Sequence, residues 1–205
     1  MGKAETLERY RKLNLSAPRG GIVFAGSSLM EQFPIERFAK EDGINVLNRG
    51  ISGYVTKELL ENLNICVLDL APSRLFINIG TNDLSQKECS PALLMERYAE
   101  ILGRIRDALP KAEIFVMAYY PVNPDVASGG MREVLRVRSN DKINGANALL
   151  PALCTRFGAR FIDVNAPLKD ALGRLKAEYT TEGMHINEQG YRAVYPLFKQ
   201  YLTCN

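Results

Sequence analysis

The sequence carries a single histidine, His185, in 205 residues. A zinc site would have to be built from cysteines and carboxylates, and these show no ligand spacing. Neither a metal nor a cofactor is therefore expected, and any imidazole base must be His185. Cys66, Cys89, Cys154 and Cys204 form no CxxC pair, so they read as reduced thiols. No apolar run approaches the length of a membrane span. The opening stretch "MGKAETLERYRKLNLSAPRG" lacks the apolar centre of a signal peptide, so a cytoplasmic location is expected. A net charge of +3 with no basic stripe argues against nucleic acid or a membrane surface as partner. The GxSxG elbow is missing, as are Walker and dinucleotide-binding glycine motifs. No repeat, low-complexity tract or linker interrupts the chain. With 46% hydrophobic and 24% charged residues, one domain over 1–205 is expected.

What the sequence does contain is alternation. Short runs apolar on both faces fall at 21–26 ("GIVFAG"), 44–48 ("INVLN"), 74–80 ("RLFINIG"), 113–119 ("EIFVMAY") and 159–163 ("ARFID"). They read as parallel strands covered on both sides. Helical patterns lie between or after them at 56–63, 90–110 and 187–202. Thr56, Ser90 and Asn187 stand at their caps, and Pro91 takes the first helical position of the second. Pro196 is expected to kink the last helix. The pattern predicts right-handed crossovers and a three-layer α/β/α sandwich with a five-stranded, flavodoxin-like parallel sheet. The Pro/Gly-rich stretch 120–131 reads as a loop.

Sites in such sheets form beyond the carboxyl ends of the strands. There the sequence delivers Ser27 and Ser28, then "NRGISGYVT" (48–56), then "GTND" (80–83), then Tyr119 and Tyr120. The loop "TTEGMHINEQGY" (180–191) follows the fifth strand. A serine hydroxyl needs a neighbouring base before it attacks. Imidazole suits that task, with an unperturbed pKa of roughly 6.5. Its second nitrogen needs an acceptor that fixes the tautomer. Glu182, three residues before His185, places base and acceptor within one short turn. Acyl transfer also needs donors for an oxyanion. The Gly53 backbone N–H and the uncharged Asn82 amide can serve. Ser27 and Ser28 have a plainer reading as helix-capping hydroxyls or anion contacts. Asp163 is the fallback acid, with a chain-turning role favoured. Asp83 reads as a local backbone acceptor, Asn78 as a satisfied buried polar group, and Arg132, Arg136 and Arg138 as a solvated helix face.

The blocks "FAGSSLME", "NRGISG", "INIGTNDL" and "EGMHINEQGY" occur in the order and approximate spacing of the SGNH hydrolase superfamily, the GDSL-type esterases and lipases. The sequence resembles that superfamily over 22–200. The resemblance implies a serine hydrolase of esters that works through an acyl-enzyme, with a small-molecule ester as its partner; a small acyl group such as acetyl is favoured because no long apolar lid is evident. It assigns Ser28 as nucleophile, His185 as base and Glu182 as acid. Gly53, Asn82 and the Ser28 N–H become the oxyanion donors. Ser27 takes the place of a usual Asp and is expected to be a structural hydrogen-bonding group. Tyr54 follows Gly53 where Asp is frequent; its ring, like those of Tyr119 and Tyr120, could wall the substrate pocket, but packing is the commoner role of such aromatics and is favoured. Glu182 replaces Asp, and Ile186 replaces a frequent Pro. Two alternatives stay open at this point: a non-catalytic relative that binds carbohydrate or acyl ligands, and an acetyltransferase using the same triad.

Overall fold

The computed structural model describes residues 2–203, so Cys204 lies outside the described residues. Five strands form one parallel sheet: β1 (Ile22–Gly26), β2 (Val46–Gly50), β3 (Arg74–Asn78), β4 (Glu113–Met117) and β5 (Arg160–Ile162). Their order is β2-β1-β3-β4-β5, the expected flavodoxin-like arrangement. Helices α1 (Lys3–Asn14), α2 (Ser28–Glu31), α3 (Ile35–Glu41), α4 (Thr56–Glu61), α5 (Leu63–Cys66), α6 (Pro91–Ala108), α7 (Met131–Val137), α8 (Asn140–Arg156) and α9 (Glu188–Leu202) join and cover the strands.

Each face of the sheet has its own core. Phe24, Phe76 and Phe115 occupy one register position on β1, β3 and β4. Their rings stack at 4.5 and 4.6 Å, and Phe198 of α9 meets Phe24 and Phe76 edge-on. Burying each such ring contributes roughly 1.5–3 kcal/mol, so this ladder fixes α9 against the sheet. Val23, Ala25, Leu75, Ile77, Ile114 and Val116 point the other way, into a core shared with α6 and α8. No helix among the described residues is long and apolar enough to cross a membrane.

Several boundaries differ from expectation. β2 starts two residues late and continues through Asn48 and Arg49. As an edge strand it tolerates polar residues whose side chains find local partners. Asn48 Nδ2 donates to the Met30 carbonyl at 2.6 Å, and Arg49 Nε donates to Asn14 Oδ1 at 2.9 Å. The 56–63 helix ends at Glu61, and Leu63–Cys66 forms a separate turn. α9 runs on through Pro196. α8, with no counterpart in the sequence pattern, buries Ile143, Ala146, Leu150 and Leu153 at helical spacing. Cys66, Cys89 and Cys154 are free and buried.

Candidate active site

β1 delivers Ser28 to the first position of α2, where it is 7% exposed. The loop before α9 delivers Glu182 and His185. Across 157 positions of sequence, the Ser28 hydroxyl donates to His185 Nε2 at 3.0 Å. The Nδ1–H of the same ring donates to Glu182 Oε1 at 2.9 Å. Oε1 also accepts the His185 backbone N–H at 2.7 Å, and Oε2 accepts the Thr181 hydroxyl at 2.8 Å. Burial alone would raise the Glu182 carboxyl. The His185 backbone N–H, the Thr181 hydroxyl and the imidazole outweigh it and hold the group below the ordinary glutamate range. A hydroxyl, an imidazole and an ionised carboxylate thus stand in series.

Local chemistry explains why the histidine loop closes this tightly. Gly183 sits at φ +90, where a Cβ would fall 2.3 Å from the Asn123 carbonyl. That close approach lets the Asn123 N–H donate to the Gly183 carbonyl at 2.7 Å, tying stretch 120–131 to the loop. Asn123 Nδ2 also donates to the Leu175 carbonyl at 2.7 Å, and the Val122 N–H donates to Asn140 Oδ1 at 2.9 Å. Ile186, at the position often held by Pro, buries its side chain in the aromatic core. Asn187 caps α9 by accepting the Gly190 N–H at 3.0 Å. From α9 the Tyr191 hydroxyl donates to the carbonyl of Leu29, the residue after Ser28, at 2.7 Å.

That last bond joins the serine turn to the helix that follows the histidine. Tyr191→Phe is expected to cost about 1 kcal/mol of stability and to lower kcat severalfold, because the Leu29 carbonyl stays buried without its partner. Thermal melts and steady-state kinetics on a short-chain ester check both effects. Unchanged turnover would remove Tyr191 from the positioning of Ser28.

The donors expected for an oxyanion gather at the same edge of the sheet. Gly53 turns the chain after β2 at φ +77, with Lys3 Cε 3.0 Å from where its Cβ would be. The neighbouring Ser52 N–H donates to Glu31 Oε2 at 2.8 Å, linking this turn to α2. Asn82 Nδ2 donates to the Tyr54 carbonyl at 2.9 Å, linking it to the loop after β3. The buried Asp83 accepts from the Thr56 N–H at 3.0 Å and the Thr56 hydroxyl at 2.5 Å. It is a long-range tie rather than a local acceptor. Thr56 is accordingly the first residue of α4 and not its cap. α1 braces the same region, with the Tyr10 hydroxyl donating to the Gly50 carbonyl at 2.8 Å.

Other sequence expectations need correction. Ser27 makes no side-chain hydrogen bond among the described residues; its short, buried hydroxyl reaches no partner. The Asn78 amide donates to the Ala118 carbonyl at 3.1 Å, but its Oδ1 has no partner among the described residues. The rings of Tyr54, Tyr119 and Tyr120 are buried in the cores, the packing role favoured from sequence over pocket walls. Asp163 accepts the Asn165 N–H at 2.8 Å in a turn, in line with the favoured chain-turning role. Arg138 is 4% exposed and lies on no solvated face. Its Nη2 donates to Asn82 Oδ1 at 2.6 Å and its Nε to Ser85 Oγ at 2.8 Å. α7 ends at Val137, and the nonhelical backbone of Arg138 turns the side chain inward. Ser139, which caps α8 by accepting the Lys142 N–H, is the sequence signal that residue 138 precedes a new helix. Among the described residues, no three His, Cys, Asp or Glu side chains form a cluster able to hold a metal ion.

Known proteins resemble this chain. The sequence pattern of the GDSL-like Lipase/Acylhydrolase family matches residues 25–193. A protein from Streptococcus pneumonia, described provisionally as a platelet activating factor, is 32% identical. Its structure superposes with a TM-score of 0.87, covering 98% of this chain and 92% of that one. A GDSL-like lipase from Bacteroides thetaiotaomicron VPI-5482 shares the fold at 23% identity, with a TM-score of 0.79 and 96% of each chain covered. An N-acylneuraminate cytidylyltransferase from Escherichia coli O18:K1:H7 (strain RS218 / NMEC) is 26% identical over 172 residues. That match takes in 83% of this chain, which spans 37% of the length of that curated relative.

Proposed function

Because this chain belongs to the GDSL-like lipase/acylhydrolase family, we propose that it hydrolyses short acyl esters through an acyl-enzyme formed on Ser28. One observation carries the reading: the hydroxyl–imidazole–carboxylate series with links of 3.0 and 2.9 Å. These are hydrogen-bonding distances for proton transfer out of the nucleophile.

Ser28 Oγ attacks the ester carbonyl as His185 Nε2 takes its proton. Glu182 keeps the proton on Nδ1 and stabilises the imidazolium that results. The carbonyl oxygen becomes an oxyanion facing the N–H groups of Ser28 and Gly53 and the Asn82 amide. His185 then protonates the departing alkoxide as the C–O bond to the alcohol breaks. Water enters, gives its proton to His185 and attacks the acyl carbon. Collapse of the second tetrahedral intermediate releases the acid and returns the proton to Ser28.

A short acyl group, acetyl being the simplest, is the favoured substrate part. Ser28 is largely covered, and the ties from Asn123 and Val122 hold stretch 120–131 down on the protein. Across a series of esters from acetate to decanoate, rates are expected to fall with chain length; a maximum at decanoate would overturn the preference. A fluorophosphonate probe should label Ser28 covalently. Folded protein that never labels would exclude the serine mechanism and favour a binding role.

Asn82→Ala is expected to lower kcat by roughly 10²–10³-fold, about 3–4 kcal/mol of transition-state stabilisation, with KM little changed. Steady-state kinetics test this, and wild-type turnover would remove Asn82 from the oxyanion site.

A further inference from the structure

We propose that Arg138 is a positioning residue for this site: its guanidinium holds the Asn82 carboxamide so that one amide N–H stays free for the oxyanion. The proposal rests on the ester-hydrolase reading above. A carboxamide fits its site in two orientations that exchange oxygen and nitrogen. Here both neighbours choose the same one. The guanidinium has only donors, so Oδ1 must face it, at 2.6 Å from Nη2. The Tyr54 carbonyl only accepts, so Nδ2 must face it, at 2.9 Å. One N–H of Nδ2 is used by Tyr54, and the other remains for a ligand.

Arg138 is an expensive way to hold an amide. It is buried, and no carboxylate among the described residues forms a salt bridge with it. Burial pushes the guanidinium down to about 10, with the charge of Asp83 acting in the opposite direction. A buried cation without a paired anion is costly. Its position makes sense where negative charge develops during a reaction, one carboxamide away. A cation donating to an amide oxygen also polarises the amide N–H and makes it a stronger donor. Bracing of the loop is a separate task and is already shared: Lys142 Nζ donates to the Leu84 and Gln86 carbonyls at 2.9 Å each. Among the described residues, Asn82 Oδ1 has no donor besides Arg138.

The test is a double-mutant cycle in kcat on p-nitrophenyl acetate. Arg138→Met is expected to lower kcat by roughly 30–100-fold with KM within about threefold, somewhat less than loss of the whole donor. In the Asn82→Ala background the same substitution is expected to cost under about threefold, since the group it acts through is gone. Arg138→Lys, which keeps the charge and a donor, should recover much of the loss. Equal factors in both backgrounds would overturn the proposal, because simple bracing acts whether or not Asn82 is present. Unchanged kcat in Arg138→Met would overturn it as well. If thermal melts show Arg138→Met unfolded, Arg138→Gln, which removes the charge and keeps a polar side chain, supplies the same cycle with and without Asn82→Ala. Wild-type protein that neither turns over the ester nor labels at Ser28 removes the hydrolase reading itself. An active, labelled wild type with an additive cycle removes only the role of Arg138.

Discussion

Replacing Ser28 with alanine is expected to lower kcat by roughly 10⁶-fold, His185→Ala to cost about as much, and the double variant to be no worse than either. The two groups act on one proton. Without the hydroxyl there is nothing to deprotonate, and without the imidazole nothing receives the proton. The fold should barely register the serine change. Among the described residues its hydroxyl bonds His185 alone, while the backbone bond from the Gln32 N–H to the Ser28 carbonyl remains. Thermal melts should therefore stay within the range of one lost hydrogen bond, about 1 kcal/mol. Kinetics on p-nitrophenyl acetate and intact-mass detection of an acyl adduct provide the check. An Ser28→Ala protein that still turns over at a tenth of the wild-type rate would refute the assignment.

Glu182→Ala is expected to cost roughly 10⁴-fold in kcat, and Glu182→Gln distinctly less. The difference follows from what surrounds the carboxylate. Oε1 faces the His185 backbone N–H and ring N–H, while Oε2 faces a hydroxyl able to accept as well as donate. A glutamine can therefore turn its oxygen to His185 and its amide to Thr181, keeping the productive tautomer. What it loses is the charge that stabilises imidazolium. Alanine loses the charge and the orientation together. Equal losses in the two variants would show that the tautomer is not held in this way.

The same residue sets a dependence of stability on pH. The folded state lowers the Glu182 carboxyl pKa, so its stabilisation is fully present above the ordinary glutamate range. It is lost as pH falls through the lowered value. Wild-type melting temperature should therefore drop more steeply on acidification than that of Glu182→Gln, as scanning calorimetry between pH 3 and pH 6, about the span of carboxylate titration, will register.

The legible parts of the sequence were those where one physical signal dominates. β1, β3 and β4 are apolar on both faces and bounded by glycine or polar residues, and they fall within the expected runs. α6 announces itself by Ser90, Pro91 and an apolar face, and the Ser90 hydroxyl accepts the Leu93 N–H at 3.1 Å. α8 was hidden because Asn, Gly145 and Pro151 dilute its apolar spacing, and packing against the sheet overrides weak propensity. The meeting of Ser28, Glu182 and His185 was legible because the chain holds one histidine with a carboxylate three residues before it, and because the sequence blocks around all three resemble one family. Arg138 was not. Its role depends on a helix ending one residue earlier, and helical periodicity projected it outward with Arg132 and Arg136. Tyr191 and Glu31 were invisible for a similar reason: their contacts cross between elements that only the tertiary fold brings together.

Glu182 and His185 stand three residues apart, bonded to each other through ring and backbone, while Ser28 arrives from the far end of the chain. Their mutual geometry is set within one short loop. Of the two links in the series, the one from the imidazole to the serine alone depends on distant parts of the chain meeting.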